Sequence, residues 1–244
     1  MGETLDDVGP WLAEAWSRLR PGPVPAEDAA VLAVVVAAVV AAVAVPLLWR
    51  HLRVVVTVVH ELGHGLVGVL CGRRFTGFVL RGDMSGHAVT VGPARGAGRV
   101  LSTWAGYPAP AVVGALLVRA AGTGWAPTVL GVGALVLLVS LVRVRSWYTA
   151  LVMVALTAAT AALWWWVGGA LQAAVLLGVG LFLLVGAWRH LGALLGSRSP
   201  GSDAAVLAGL TRVPRWCWVL SFAVVLGLAS WFALAPFGAL AGLA

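Results

Sequence analysis

Two histidines and a glutamate, in the run His60-Glu61-Leu62-Gly63-His64, are the residues whose types and spacing most directly suggest chemistry. On a helix, positions four apart share one face, one turn from each other. His60 and His64 can therefore offer two imidazoles to one zinc ion, with Glu61 beside it. Zinc lowers the pKa of a bound water to near neutrality and polarises a carbonyl, while a carboxylate carries the water's proton to a leaving amine. Peptide hydrolysis is the chemistry such a constellation serves. The small Gly63 would let a second helix come close.

Catalytic zinc commonly takes three protein ligands and a water, and few groups here can supply the third. Of nine acidic residues, six fall in the first 28 positions, and only Glu61, Asp83 and Asp203 follow. Asp83 sits in Gly82-Asp83-Met84-Ser85-Gly86, a turn-rich run where aspartate needs no further role. Asp203 follows Ser197-Arg198-Ser199-Pro200-Gly201-Ser202 and opens the apolar stretch Ala204–Leu210. It reads either as the cap of a short helix or as the favoured third ligand, carried toward the zinc by a segment apolar enough to dip into a membrane. His87 and His190 are lesser alternatives. Cys71 and Cys217 form no spacing motif, which argues against a disulfide framework or a cysteine zinc site.

A helix must position the histidines, and composition says what surrounds it. The 244 residues are 61% hydrophobic and 10% charged, which excludes a disordered or ordinary soluble chain and points to a polytopic membrane protein. A spanning helix needs about 20 apolar residues. The candidates are Ala29–Trp49, Val54–Leu70, Val100–Val118, Trp125–Val142, Thr149–Val167, Leu171–Trp188 and Trp216–Leu243. Between the fifth and sixth the apolar run is broken only by Gly168 and Gly169; together they are too long for one crossing, so a turn falls there. Ionisable side chains at mid-membrane cost roughly 2–3 kcal/mol each without a partner. Three of them inside the second span therefore favour a metal site over chance. The expected fold is all-α and polytopic, with about seven transmembrane helices and a short strand-like loop after the motif helix. Residues 1–28 read as a cytoplasmic segment, with a short helix around Trp11–Arg20 and a proline linker but not the form of a signal peptide. Residues 29–244 read as a single integral-membrane domain.

All 16 basic residues are arginine. If seven spans alternate, thirteen arginines, Arg18, Arg20 and Arg73 among them, share one side, and only Arg50, Arg53 and Arg119 fall opposite. The positive-inside rule then places the amino terminus in the cytoplasm and the carboxyl terminus outside. That bias accounts for the net charge of +7 without any nucleic acid. Trp49, Trp125, Trp147, Trp188, Trp216 and Trp218 lie near proposed span ends, as interfacial anchors do.

With HELGH lodged in a spanning helix, the chain resembles the site-2-protease family of intramembrane zinc metallopeptidases. The strand-like pieces Phe78–Arg81 and His87–Val91, then Ala105-Gly106-Tyr107-Pro108-Ala109-Pro110-Ala111, follow in the family's order. The SGHAVT-like strand, AGYPAP and the SDAAVLAGLT segment, with Trp216 following, are similar to a compact bacterial, particularly actinobacterial, branch. The resemblance implies zinc as cofactor, Glu61 as general base, and His60 and His64 as ligands. It also implies a membrane protein or peptide as substrate, in the plasma membrane of a bacterium. In the family the third ligand is normally the aspartate of a Leu-Asp-Gly motif. The corresponding span here ends in Val142-Arg143-Val144-Arg145 without an acid, so Asp203 would have to substitute. The asparagine that accompanies the family's proline motif is also missing, since the chain contains none.

A substrate helix must unwind to expose a peptide bond, and a strand edge can satisfy the freed backbone. Phe78–Val91 can supply that edge, or can be a plain hairpin at the membrane surface. An intramembrane zinc endopeptidase is the leading expectation. A non-catalytic membrane scaffold or binding protein retaining fold and metal site is the alternative. Transport fits poorly, because the ionisable cluster is confined to one span.

Overall fold

The computed structural model describes residues 5–24, 28–197 and 199–240. Arg198, residues 25–27 of the expected amino-terminal segment and the last residues of the seventh expected span lie outside them. The architecture is mostly helical, as expected. In order come α1 (Leu5–Arg18), α2 (Ala29–Ala44), α3 (Pro46–Leu70), β1 (Arg74–Leu80), β2 (Gly86–Val91), α4 (Ala97–Trp104) and α5 (Pro108–Gly122). Then follow α6 (Ala126–Ser140), α7 (Trp147–Trp166), α8 (Gly169–Gly196), α9 (Asp203–Thr211) and α10 (Arg215–Leu240). In lipid the backbone must satisfy its own hydrogen bonds, which apolar helices do. Five helices are long and apolar enough to cross a membrane, or six if α4 and α5, bent by 58° at their junction, count as one.

The first two expected spans divide earlier than hydropathy suggests. Val45 is extended and Pro46 occupies the first turn of α3, a position where the missing N–H costs nothing. The first span is thus a helix of only 16 residues, and Trp49, Arg50 and Arg53 belong to the motif helix. The start of α3 is held against α8: Trp49 touches Phe182 and His190, and Val56, two turns further along α3, packs on Gly186.

The remaining helices pack lengthwise. Gly114 and Gly180 bring α5 and α8 together so closely that a Cβ on either would stand 2.7 Å from the other's carbonyl oxygen, the approach small residues permit between membrane helices. At one end of the bundle Ala120, Ala121, Ala126, Leu130, Ala173 and Leu176 form a cluster at the α5–α6 and α7–α8 turns. Gln172, buried, donates its amide hydrogens to the carbonyls of Leu163, Trp164 and Val167, closing the end of α7. The amino-terminal segment attaches there: Arg18 donates to the Trp165 carbonyl, Thr128 to the Leu19 carbonyl and the Gly22 amide to the Gly124 carbonyl. Phe232 of α10 lies over Arg119 at the same end.

The opposite end carries α3, the β hairpin, α4 and α9. There Arg189 of α8 donates to the Val43 carbonyl of α2 and stacks on Trp49. Arg18 lies away from the hairpin, bonded to the Trp165 carbonyl, and Arg53 of α3 lies beside it, donating to the Asp83 carbonyl. Among the described arginines, only Arg18, Arg20 and Arg119 belong to the far end.

β1 and β2 pair antiparallel, with a bulge between Phe75 and Gly77. Gly77 has φ +149, and a Cβ there would stand 2.5 Å from the Arg143 carbonyl oxygen. That close approach lets residues 143–145 occupy the outer edge of β1: Phe78 bridges Val144, and the Arg145 amide donates to the Phe78 carbonyl. The buried Leu80 amide donates to Thr149 Oγ1 at 2.7 Å. Phe78, Leu80, Val58 and Met153 fill the space between hairpin, α3 and α7. Among the described residues no strand or bridge pairs with the outer edge of β2.

Candidate metal centre

The i, i+4 spacing on α3 brings the His60 and His64 Nε2 atoms within 3.1 Å of each other. Asp203, the first residue of α9, reaches them from the far side of the fold. Its Oδ2 lies 3.3 Å from each Nε2, yet it is buried and makes a hydrogen bond to neither. Three donor atoms thus form a nearly equilateral triangle. Ligands about 2.0–2.1 Å from a tetrahedral ion stand about 3.3 Å apart, so the spacing fits one small dication better than it fits hydrogen bonding. Among the described residues this is the group of histidine, cysteine or acid able to hold a metal ion.

Each member is held from outside the triangle. His64 Nδ1 lies 2.7 Å from the Ser102 carbonyl oxygen, which fixes its tautomer and leaves Nε2 free to ligate. Ser102 in turn donates to the His64 carbonyl, pinning α4 against α3. His60 packs edge-on to Tyr107, 5.1 Å between ring centres. Its Nδ1 is buried without a protein partner. Asp203 is fixed by the packing of α9, whose Ala204 and Leu207 are wholly buried against α8 and α10. Burial alone would push the Asp203 carboxyl up, but the two imidazoles outweigh it and hold it below the usual carboxylate range, in the ionised form a ligand needs.

Two glycines close the walls. Gly106, at the α4–α5 bend, passes so near the imidazoles that a Cβ would stand 2.8 Å from His60 Cε1 and closer still to the His64 ring. Gly63 has the same role one turn on, its absent Cβ lying 2.5 Å from that of Ala109. Glu61, only 4% exposed, points between α3 and the start of β2. A cavity of about 650 Å³ opens beside the group, lined by His60, Glu61, His64, Asp203, Tyr107 and the open edge of β2 from Gly86 to Val91.

The other candidates lie elsewhere. Asp83 caps the hairpin turn, its Oδ1 accepting from the Ser85 hydroxyl and amide, which hold its carboxyl below the usual range. His87 lines the cavity from β2, outside the triangle. His190 stands against Trp49 on α8. Sequence reasoning passed over Ser102, Gly86, Gly106 and Tyr107. The run AGYPAP pointed to the right bend, but nothing in it tells which of its residues meets the histidines.

These features define a polytopic helical membrane protein with an H-E-x-x-H helix, a short hairpin and an aspartate assembled at one end of the bundle. The model of the Peptidase M50B-like family, which is site-2-protease-like, matches residues 31–233, and the chain belongs to that family. Membership implies a zinc metallopeptidase acting on protein substrates. No curated protein and no solved structure matches the chain.

Proposed function

We propose that the chain is an intramembrane zinc endopeptidase in which His60, His64 and Asp203 hold the metal and Glu61 is the general base. The observation that carries the reading is the triangle of donor atoms with edges of 3.1, 3.3 and 3.3 Å, closed by residues 143 and 139 positions apart from the two histidines. Zinc held there would supply Lewis acidity, acidifying a water and polarising the carbonyl it attacks. The protein's part is proton transfer and positioning. Glu61 takes the proton of the attacking water and delivers it to the departing amine, a role its place between the ligands and β2 suits. The uncovered edge of β2 gives an unwound substrate segment hydrogen-bond partners along the cavity wall, while the edge of β1 is occupied.

The same reading extends to the whole chain. Residues 29–244 act as one membrane domain, and residues 1–28 are a separate amino-terminal segment. The arginine-rich end, which bears the site, faces the cytoplasm of a bacterium by the positive-inside rule. Residues 5–24 then lie across the membrane from the site, the reverse of the orientation expected from alternating spans. The test of the reading is Glu61→Gln in purified protein: cleavage of a membrane-peptide substrate is abolished while zinc stays near one per chain. Metal-free wild-type protein that still cleaves would overturn it, and zinc-loaded wild type that cleaves nothing would favour the scaffold alternative.

A further inference from the structure

We infer that the hydroxyl of Tyr107 donates a hydrogen bond to the scissile carbonyl oxygen as that oxygen gains negative charge. The proposal rests on the peptidase reading and adds a catalytic residue to it. Attack on a peptide carbonyl moves charge onto its oxygen, and a donor already aimed at that position stabilises the transition state more than the ground state.

Several donors of the cavity are already engaged, and of those left, among them His87, Thr103 and Tyr107, Tyr107 packs edge-on to a proposed ligand. Ser102 donates to the His64 carbonyl, Ser202 to the Ser199 carbonyl, and Arg73 to Thr90 and Pro93. Glu61 is required as a base. Tyr107 also lines the cavity, and no hydrogen bond occupies its hydroxyl among the described residues. Its ring is fixed on two sides. One face stacks on the fully buried Phe222, with centroids 4.9 Å apart and planes 13° from parallel. The ring also meets His60 at 83°. A tyrosine locked between a core phenylalanine and a proposed ligand, in the lining of the reaction cavity, is a donor positioned before substrate arrives. The residue that follows, Pro108, begins α5 and has no N–H to compete for the same oxygen.

Tyr107→Phe keeps the aromatic packing and removes only the hydroxyl. In detergent-solubilised full chain, with an internally quenched transmembrane peptide, kcat is expected to fall about 10–100-fold, somewhat less than the loss typical of a main oxyanion donor. KM should stay within about twofold, because the bond is made late in the reaction. A second readout needs no turnover: affinity for a phosphinic peptide, whose tetrahedral oxygens mimic the charged carbonyl, should drop by a similar factor. Affinity for acetohydroxamate, a bare metal chelator, and the zinc content should not change. If Tyr107→Phe retains kcat and phosphinic-peptide affinity, or if KM alone rises, the assignment to Tyr107 fails. Wild-type protein that neither cleaves the peptide nor binds the phosphinate would overturn the peptidase reading itself.

Discussion

Gly86, the first residue of β2, lies so close to Glu61 that a Cβ on it would stand 2.5 Å from Oε1 and 2.7 Å from Cγ. Strand and proposed base are therefore placed by one contact. Adding a methyl group forces either β2 or the carboxylate aside, and a shift of about 1 Å in a reacting group is worth about 100-fold in rate. Gly86→Ala is expected to lose most peptidase activity while keeping zinc. A kinetic assay paired with metal analysis of the same sample checks this; unchanged kcat/KM would show that the contact is soft.

Asp203→Ala should release the metal. Losing an outer-shell partner typically costs about 10–100-fold in metal affinity, and loss of a ligand should exceed that. His190→Ala, by contrast, should leave zinc affinity unaltered, since His190 lies outside the triangle. Competition with a chromogenic chelator measures both. Equal affinity in Asp203→Ala and wild type would remove Asp203 from the site.

Metal retention should fall with acidity. Imidazole ligates only when neutral, so protons compete with zinc for the ligand nitrogens as the medium is acidified. Equilibrium dialysis across pH 5 to 8 should show zinc lost at the acid end and held at the alkaline end. The opposite slope would mean that the histidines do not ligate.

Thr149→Val tests how the hairpin is anchored. The substitution keeps size and removes the acceptor of the Leu80 amide, leaving a buried donor unpaired at a cost of about 1–3 kcal/mol. The expected result is a lower unfolding midpoint in detergent together with reduced activity, because β2 is carried by β1. A variant as stable as wild type would mean that water replaces the hydroxyl.

The two ends of the bundle can be distinguished by labelling. With Cys71 and Cys217 changed to serine, a cysteine at Arg20 should react with a membrane-impermeant maleimide added to intact cells. One at Arg212 should react only in inverted vesicles. The reverse pattern would turn the proposed orientation around.

Much of the site is legible in the sequence because it depends on local geometry or on scarcity. The i, i+4 spacing of His60 and His64 survives in any helix. Asp203 could be found because so few carboxylates lie beyond the amino-terminal segment. The break before α3 was not read: the apolar run through Pro46 was counted into the first span, because hydropathy does not register an extended residue such as Val45. Gly86, Gly106 and Tyr107 escaped notice for another reason. Their importance lies in what they touch across the fold, and a sequence records no such contact.

Gly86 and Gly106 also restrict how this enzyme can be retuned. Two walls of the cavity are bare main chain, and a side chain added at either would displace the Glu61 carboxylate or the imidazoles. Adaptation to new substrates is left to the exposed positions of β2, His87, Val89 and Val91. These can vary without touching the catalytic group, so directed evolution of selectivity has its safest starting library in three alternating residues of one short strand.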